Sequence, residues 1–148
     1  CLEALQETIR VGDVVIDVGC GSGILGIAAA KLGAKVCYLT DIDPVAVESA
    51  RHNALKNGVS QKVIVAHSDL LEDSSVRGDV VLANITAEIL VRLASSIPKH
   101  LKEGGTLILS GIIADRLSLV KEAFAAQGLA LFAERRKGEW YALVYRRQ

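Results

Sequence analysis

Val15-Ile-Asp-Val-Gly-Cys-Gly-Ser-Gly23 decides how this chain is read, together with Thr40-Asp-Ile-Asp-Pro44 downstream. An apolar run ends in an acidic residue, three alternating glycines follow, and Ile24–Leu32 is a helix-forming stretch. The pattern predicts a strand, a tight turn and a helix. Glycines reach backbone conformations closed to other residues and let a ligand approach the main chain closely. A second apolar run, Lys35–Leu39, then delivers the Asp41 carboxylate to a strand end, about twenty residues on, where such a group binds ribose hydroxyls. The combination describes a site for a nucleoside-containing cofactor.

Two kinds of cofactor compete for it. Gly21-Ser-Gly-Ile-Leu-Gly26 is a literal GxGxxG, the pattern with which dinucleotide folds seat a pyrophosphate on a helix N-terminus. The glycines begin earlier, however, as Asp17-Val-Gly-Cys-Gly-Ser-Gly23, with the acid two residues before the first of them. A carboxylate at that point disfavours a pyrophosphate and suits a ligand carrying an ammonium or a sulfonium. S-adenosylmethionine carries both. The D-x-G-x-G-x-G form resembles the first motif of Rossmann-like (class I) S-adenosylmethionine methyltransferases, with a nicotinamide or flavin site as the alternative.

The 148 residues fit one domain, large enough to bury about two-thirds of its unfolded surface. A hydrophobic content of 51% supports a packed core. The 17 basic and 17 acidic residues cancel, so nothing global points to a nucleic-acid or membrane partner. No apolar run approaches the ~18 residues of a membrane span, and there is no secretory leader pattern. Cys1, Cys20 and Cys37 lack metal-type spacing, and their odd number fits a reducing compartment, so a cytoplasmic location is expected. His52, His67 and His100 are scattered and suggest no metal site. The chain opens at Cys1 inside a helical-looking stretch, Leu2–Ile9, and contains no methionine. A fragment of a longer protein is the expectation.

Seven strand-like runs organise the rest. Val14–Val18 reads as a central parallel strand. Helix Ser22–Leu32 ends at Gly33, and Lys35–Leu39 is the second strand. Asp43 caps a helix opening at Pro44 and running to Lys56, where Asn57-Gly58 stops it. Lys62–Ala66 and Asp79–Ala83 are the third and fourth strands, and Ala87–His100 the next helix, with Pro98 near its end. Gly104-Gly105 turns into the fifth strand, Thr106–Leu109, and Ala114–Gln127 is the last crossover helix. Leu129–Arg135 and Trp140–Tyr145 are separated only by Arg136–Glu139, too short a gap for a helical crossover, so they pair antiparallel. Five β/α units closed by such a hairpin fit a methyltransferase sheet better than a dinucleotide fold. Ligands of open α/β sheets lie beyond the strands' carboxyl ends, here Asp17–Gly19, Asp41, Asp69, Asn84 and Ser110-Gly111.

At Asp17–Gly26, Asp41–Pro44, Leu82-Ala-Asn-Ile85, Ser110-Gly-Ile112 and Glu139-Trp140 the chain resembles the PrmA family. That family methylates amino groups of ribosomal protein L-eleven. The resemblance covers the chain from about Cys1 to its end. It implies a Rossmann-like, doubly wound, mostly parallel sheet of order 3-2-1-4-5-7-6 and S-adenosylmethionine as methyl donor. It also implies a ribosomal protein as partner, with no direct nucleic-acid or membrane partner. Residue by residue, it puts Gly19 at the methionine part of the donor, Asp41 at the ribose and Asp69-Leu70 near the adenine. Asp17 and Gly21 would shape the loop, and Asn84 would be both donor-binding and catalytic. The family usually has Leu where this chain has Thr86. It also carries a separate N-terminal substrate-recognition domain and an upstream Gly/Thr/His-rich loop, neither of which is present in these 148 residues.

Methyl transfer from a sulfonium is an in-line displacement in which a protein mainly supplies alignment. The Asn84 side-chain oxygen and a carbonyl at Asn84 or Ile85 would accept the hydrogens of the attacking amine. Amine-methylating relatives use Asn-Pro-Pro-Tyr at this point. Asn-Ile-Thr instead favours a flexible aliphatic amine over a planar amide. Other assignments stay open for single residues. Asp17 can bond backbone amides of its own turn, Asp43 is a helix cap, Asp69 can simply end a strand, and Asn84 can bond its own backbone. Cys20 reads as a small residue in a crowded loop. Arg135, Arg136, Lys137, Arg146 and Arg147 read as a solvated hairpin face, or one that brushes ribosomal RNA. The competing functions are a methyltransferase for a small amine or glutamine, a nicotinamide oxidoreductase, and a binding module without catalysis.

Overall fold

The computed structural model describes residues 1–72 and 74–148. Helix α1 (Leu2–Thr8) precedes β1 (Val14–Val18), α2 (Ile24–Lys31), β2 (Val36–Asp41), α3 (Pro44–Lys56) and β3 (Val63–His67). Then come β4 (Gly78–Asn84), α4 (Ala87–Ala94), α5 (Ile97–His100) and β5 (Leu101–Ile113). A 3-10 turn (Ala114–Arg116), α6 (Leu117–Ala125), β6 (Ala130–Lys137) and β7 (Trp140–Arg146) complete the chain. All seven strands form one sheet in the order β3-β2-β1-β4-β5-β7-β6. The first five are mutually parallel. β7 runs antiparallel between β5 and β6. This is the expected doubly wound sheet with its closing hairpin.

Alternation along the strands builds two cores. Val15, Leu39, Val65, Leu82 and Ile108 point to one face, where Leu5, Leu25, Ala29 and Val47 of α1–α3 cover them. Ile16, Val18, Val81, Leu107 and Leu143 point to the other, against Leu90, Leu93, Val120 and Phe124. Because helices cover both faces, the central strands are mostly apolar on both sides, with the buried Asp17 the exception in β1. Gly26 is required for this packing: a β-carbon there would lie 2.5 Å from Leu39 Cδ1.

Five details differ from the sequence reading. The helix expected over 87–100 breaks into α4 and α5. Pro98 has no N–H for the Ala94 carbonyl, and Ser95-Ser96 are weak helix formers. The fifth strand is longer than Thr106–Leu109. Its pairing with β4 jumps from Gly78↔Leu101 to Val80↔Thr106, so Gly104-Gly105 form a bulge inside the strand rather than a turn before it. The last helix starts at Leu117, after the 3-10 turn. Finally, four of the five β/α units carry a helix, because no helix lies among the described residues between β3 and β4. That connection holds only Leu70, Leu71 and Val76 as apolar side chains, too few for a helical face. The hairpin turn is tighter than expected: Lys137 pairs with Trp140 across Gly138-Glu139, and Gly138 at φ +61° suits a two-residue turn. No helix among the described residues is long and apolar enough to cross a membrane.

Candidate functional site

The carboxyl ends of β1 to β5 share one rim, and strand order reverses between β1 and β4 there, which is where open α/β sheets bind ligands. The glycine loop forms its floor. Asp17 is 2% exposed, and its Oδ2 accepts a 3.0 Å hydrogen bond from the Gly26 N–H. The end of β1 is thereby tied to the first turn of α2 from beneath the loop. Burial pushes the Asp17 carboxyl up from 3.8 to about 7, against the opposing hydrogen bond from Gly26 and with a further push from Asp41. Asp17 does not line the cavity described below. It holds the loop.

Asp41 is engaged from above. Its Oδ2 accepts from the Gly21 N–H at 2.9 Å and its Oδ1 from the Asp43 N–H at 2.9 Å. A carboxylate has about four lone-pair sites, so acceptor capacity remains toward a ligand. Asp43 caps α3, accepting from the Val45 N–H at 2.9 Å. Cys20 is buried, and burial raises its thiol to about 12, which keeps it from acting as a nucleophile at neutral pH.

Beside the loop lies a cavity of about 220 Å³. The exits of β1 and β2 supply Gly19, Asp41 and Ile42, and the exit of β3 supplies Ser68, Asp69 and Leu70. The third wall is Ile89 and Arg92, three residues apart on one face of α4, together with Ile85 just ahead of the helix. Arg92 spans the cavity to Asp69, its Nη2 lying 3.3 Å from Oδ2 and 3.4 Å from Oδ1. Leu70 is left-handed at φ +57°, a conformation that strains a side chain of its kind. The buried Ser68 hydroxyl has no hydrogen-bond partner among the described residues. A larger cavity of about 550 Å³ sits at the opposite rim, between α1, the Glu103–Thr106 bulge and the hairpin, and contains none of the candidate residues.

Asn84 ends β4 opposite Ser110 of β5. Its side chain is exposed and makes no hydrogen bond among the described residues. Gly111 adopts φ +81°, and a β-carbon there would lie 2.9 Å from both Asn84 Oδ1 and the Ile85 carbonyl oxygen. Two acceptors therefore converge over the surface of one glycine. Ile85 also packs onto the loop, since a β-carbon on Gly19 would lie 2.4 Å from its Cγ2. The structure thus gathers Gly19, Asp41 and Asp69 in the cavity, puts Asn84 next to it through Ile85, and leaves Asp17 and Gly21 as supports of the loop. Thr86 occupies the N-cap position of α4 without a side-chain capping bond.

The basic hairpin residues are mostly tied inside the chain. Arg135 pairs with Glu7, Arg147 donates to the Pro98 and Leu101 carbonyls, and Arg146 stacks on Phe132 at 3.5 Å. Ile42, Ser68, Ile89 and Arg92 were missed from sequence. For Ile89 and Arg92 only their i, i+3 spacing on one predicted helix was available, which does not say that the face meets a cavity.

Comparisons with known proteins show the family. The family model described as "Ribosomal protein L11 methyltransferase (PrmA)" matches residues 1–148. A "Ribosomal protein L11 methyltransferase" of Geobacter sulfurreducens is 51% identical over 148 residues, which is all of this chain and 48% of the relative. One from Anoxybacillus flavithermus is 42% identical, again over the whole chain and 47% of the relative. The chain therefore spans about half the length of these curated relatives. Among solved structures, the ribosomal protein L11 methylase of Lactobacillus delbrueckii subsp. bulgaricus superposes with a TM-score of 0.94 at 36% identity. That match covers 99% of this chain and 76% of the other. Matched from its first residue to its last by the family model, the chain belongs to the ribosomal protein L11 methyltransferase (PrmA) family.

Proposed function

We propose that residues 1–148 are the S-adenosylmethionine-binding catalytic domain of a cytoplasmic protein methyltransferase. Its acceptors are amino groups, of lysine side chains or an N-terminus, on the large-subunit ribosomal protein that its relatives' names specify. Recognition of that protein falls to a further domain, a reading supported by the chain's half-length match to those relatives. The observation that carries the chemistry is the convergence of Asn84 Oδ1 and the Ile85 carbonyl on Gly111, one residue from a nucleoside-sized cavity.

The residues present fit the donor. A cavity of about 220 Å³ is smaller than the roughly 300 Å³ at which sites enclosing a whole small molecule begin. It suits the nucleoside part and leaves the remainder to the open glycine loop. Asp41 retains lone pairs for ribose hydroxyls, and Ser68, Asp69 and Leu70 wall the base side. The carboxylates of Asp41 and Asp69 against the one guanidinium of Arg92 leave the lining net negative, which favours a ligand of positive charge. When bound, S-adenosylmethionine supplies an activated methyl group on sulfur.

The chain's own residues prepare the acceptor. A lysine amine near pKa 10.4 costs about 4–5 kcal/mol to neutralise at pH 7, and a neutral amine still has hydrogens to place. Asn84 Oδ1 and the Ile85 carbonyl accept two of them and orient the lone pair, and such alignment is worth several kcal/mol. The antiparallel β7 and the family match both weigh against the nicotinamide alternative. Calorimetry with S-adenosylhomocysteine and NAD tests the ligand, and methylation of the ribosomal protein by the full-length enzyme tests the activity. Binding of NAD in preference to S-adenosylhomocysteine refutes the proposal.

A further inference from the structure

Asp17 answers to two demands that conflict. Its place before the loop glycines suits a carboxylate that faces a cationic ligand, yet the fold buries it to 2% exposure, where a bare charge is costly. Little offsets that cost. Oδ2 accepts one hydrogen bond, from the neutral Gly26 N–H. The ionisable groups around it are all acids. Asp41 at the end of β2 is held by the same loop, through the Gly21 N–H, and opposes a second negative charge. Cys20 in the loop and Cys37 on β2 both feel Asp17, and their thiols, pushed up to about 12, stay neutral. Leu39 and Leu82 are its partners on β2 and β4. On α2 the only ionisable side chain, Lys31, lies in the exposed last turn. Among the described residues no cation acts on Asp17.

A buried carboxyl with one neutral donor and a negative neighbour keeps its proton. A ligand cation reverses that balance, because an opposite charge nearby favours the ionised form. Gly19, which lines the cavity, is two residues from Asp17, a span of at most ~7 Å. Positive charge placed against Gly19 therefore acts on Asp17 across one short stretch of loop, and burial leaves the attraction weakly screened.

We propose that Asp17 is a proton-linked counter-ion to the donor: it holds a proton in the free enzyme and yields it to solvent when S-adenosylmethionine binds. The O–H bond of the carboxyl breaks, the electron pair stays on Asp17, and the negative charge exists only while a positive ligand faces it. The glycine loop is thus spared a bare buried charge between ligands. The inference rests on the S-adenosyl reading of the cavity and adds a proton to the binding equilibrium.

Calorimetry of S-adenosylmethionine binding to the full-length enzyme, in buffers of different ionisation enthalpy, counts the protons released. At pH 7 the unaltered enzyme should release about half a proton more per donor than Asp17→Asn, because a carboxyl pushed up to about 7 is then half protonated. Its donor affinity should rise about fivefold from pH 6 to pH 7.5, against a smaller rise in Asp17→Asn. Should that variant fail to fold, carbon NMR of the aspartate carboxyls decides on the unaltered enzyme. One carboxyl should titrate at about pH 7 and move to lower pH when the donor is bound. Equal release and parallel profiles in the two proteins, or no carboxyl that moves in this way, overturn the role of Asp17 and leave the S-adenosyl reading standing. An unaltered enzyme that binds neither S-adenosylmethionine nor S-adenosylhomocysteine overturns that reading, and this inference with it.

Discussion

The two sides of the binding rim are built on different terms. On the β1–α2 side every acidic group is already satisfied by backbone: Asp17 by the Gly26 N–H, Asp41 by those of Gly21 and Asp43, and Asp43 by that of Val45. On the β3–α4 side polar groups stand free or loosely held. Among the described residues Asn84 has no side-chain partner, the Ser68 hydroxyl has none, and Asp69 meets Arg92 only at long range. The first side is a scaffold whose carboxylates are anchored to backbone before a ligand arrives, with spare lone pairs left only on Asp41 toward the cavity. The second leaves donors and acceptors open, which on the proposed function serve the ligand and the acceptor amine. Substitutions on the scaffold side should therefore register mainly in stability or affinity, and those on the other side in turnover or selectivity.

The largest test falls on Asp17. Its carboxyl rises from 3.8 to about 7 on folding, so the folded state prefers it protonated. The stability this contributes is fully present below about pH 4 and is lost as pH rises through 7. Three units correspond to about 4 kcal/mol. Urea unfolding across pH 4–7 should show that decline in the unaltered chain, and Asp17→Asn should remove most of it. Equal slopes in the two proteins would break the contrast at its scaffold end.

Asn84→Ala comes next. Turnover of the full-length enzyme should fall about a hundredfold, the scale of losing one oriented polar group at a reacting centre, while S-adenosylhomocysteine affinity stays nearly constant. Equal losses in turnover and affinity would make Asn84 part of the binding scaffold instead. Asp41→Ala should weaken S-adenosylhomocysteine by about 2 kcal/mol, the range for hydrogen bonds to a charged group, measured by calorimetry. An unchanged affinity would remove Asp41 from the ribose. The smallest effect belongs to the outer face of α4, where Glu88 and Arg116 pair at 3.0 Å in solvent. Arg116→Ala should change stability by less than about 0.5 kcal/mol and leave binding untouched. A measurable loss of binding there would show that α4 responds as a whole rather than through its cavity face.

Sequence reading succeeded where a local pattern carries a backbone conformation. The loop glycines at positive φ, the Asp43 cap, and the hairpin around Gly138 all depend on a few neighbouring residues. It failed where a local signal was overridden or missing. Gly104-Gly105 look like a turn, but β4 recruits Leu101 into pairing and converts them to a bulge. Ser68, Ile89 and Arg92 carry no motif of their own. Asp17 shows both sides: its position marked it as part of the ligand site and as a shaper of the loop, and only the fold shows it buried and bonded to the Gly26 N–H.

By itself, then, the order of residues determined the strand, glycine loop and helix at the start of the sheet, the carboxylate at the end of β2, and the antiparallel closure of the sheet. Each follows from φ/ψ preferences and apolar periodicity acting over a few residues. Only the tertiary structure decided that Ile85 would lie on Gly19, that Asn84 and Ile85 would converge on Gly111, and that Arg92 would sit in the fork of Asp69. These contacts join segments far apart in the chain. They come into being once packing on both faces of the sheet has set the strand order and brought five carboxyl ends to one rim.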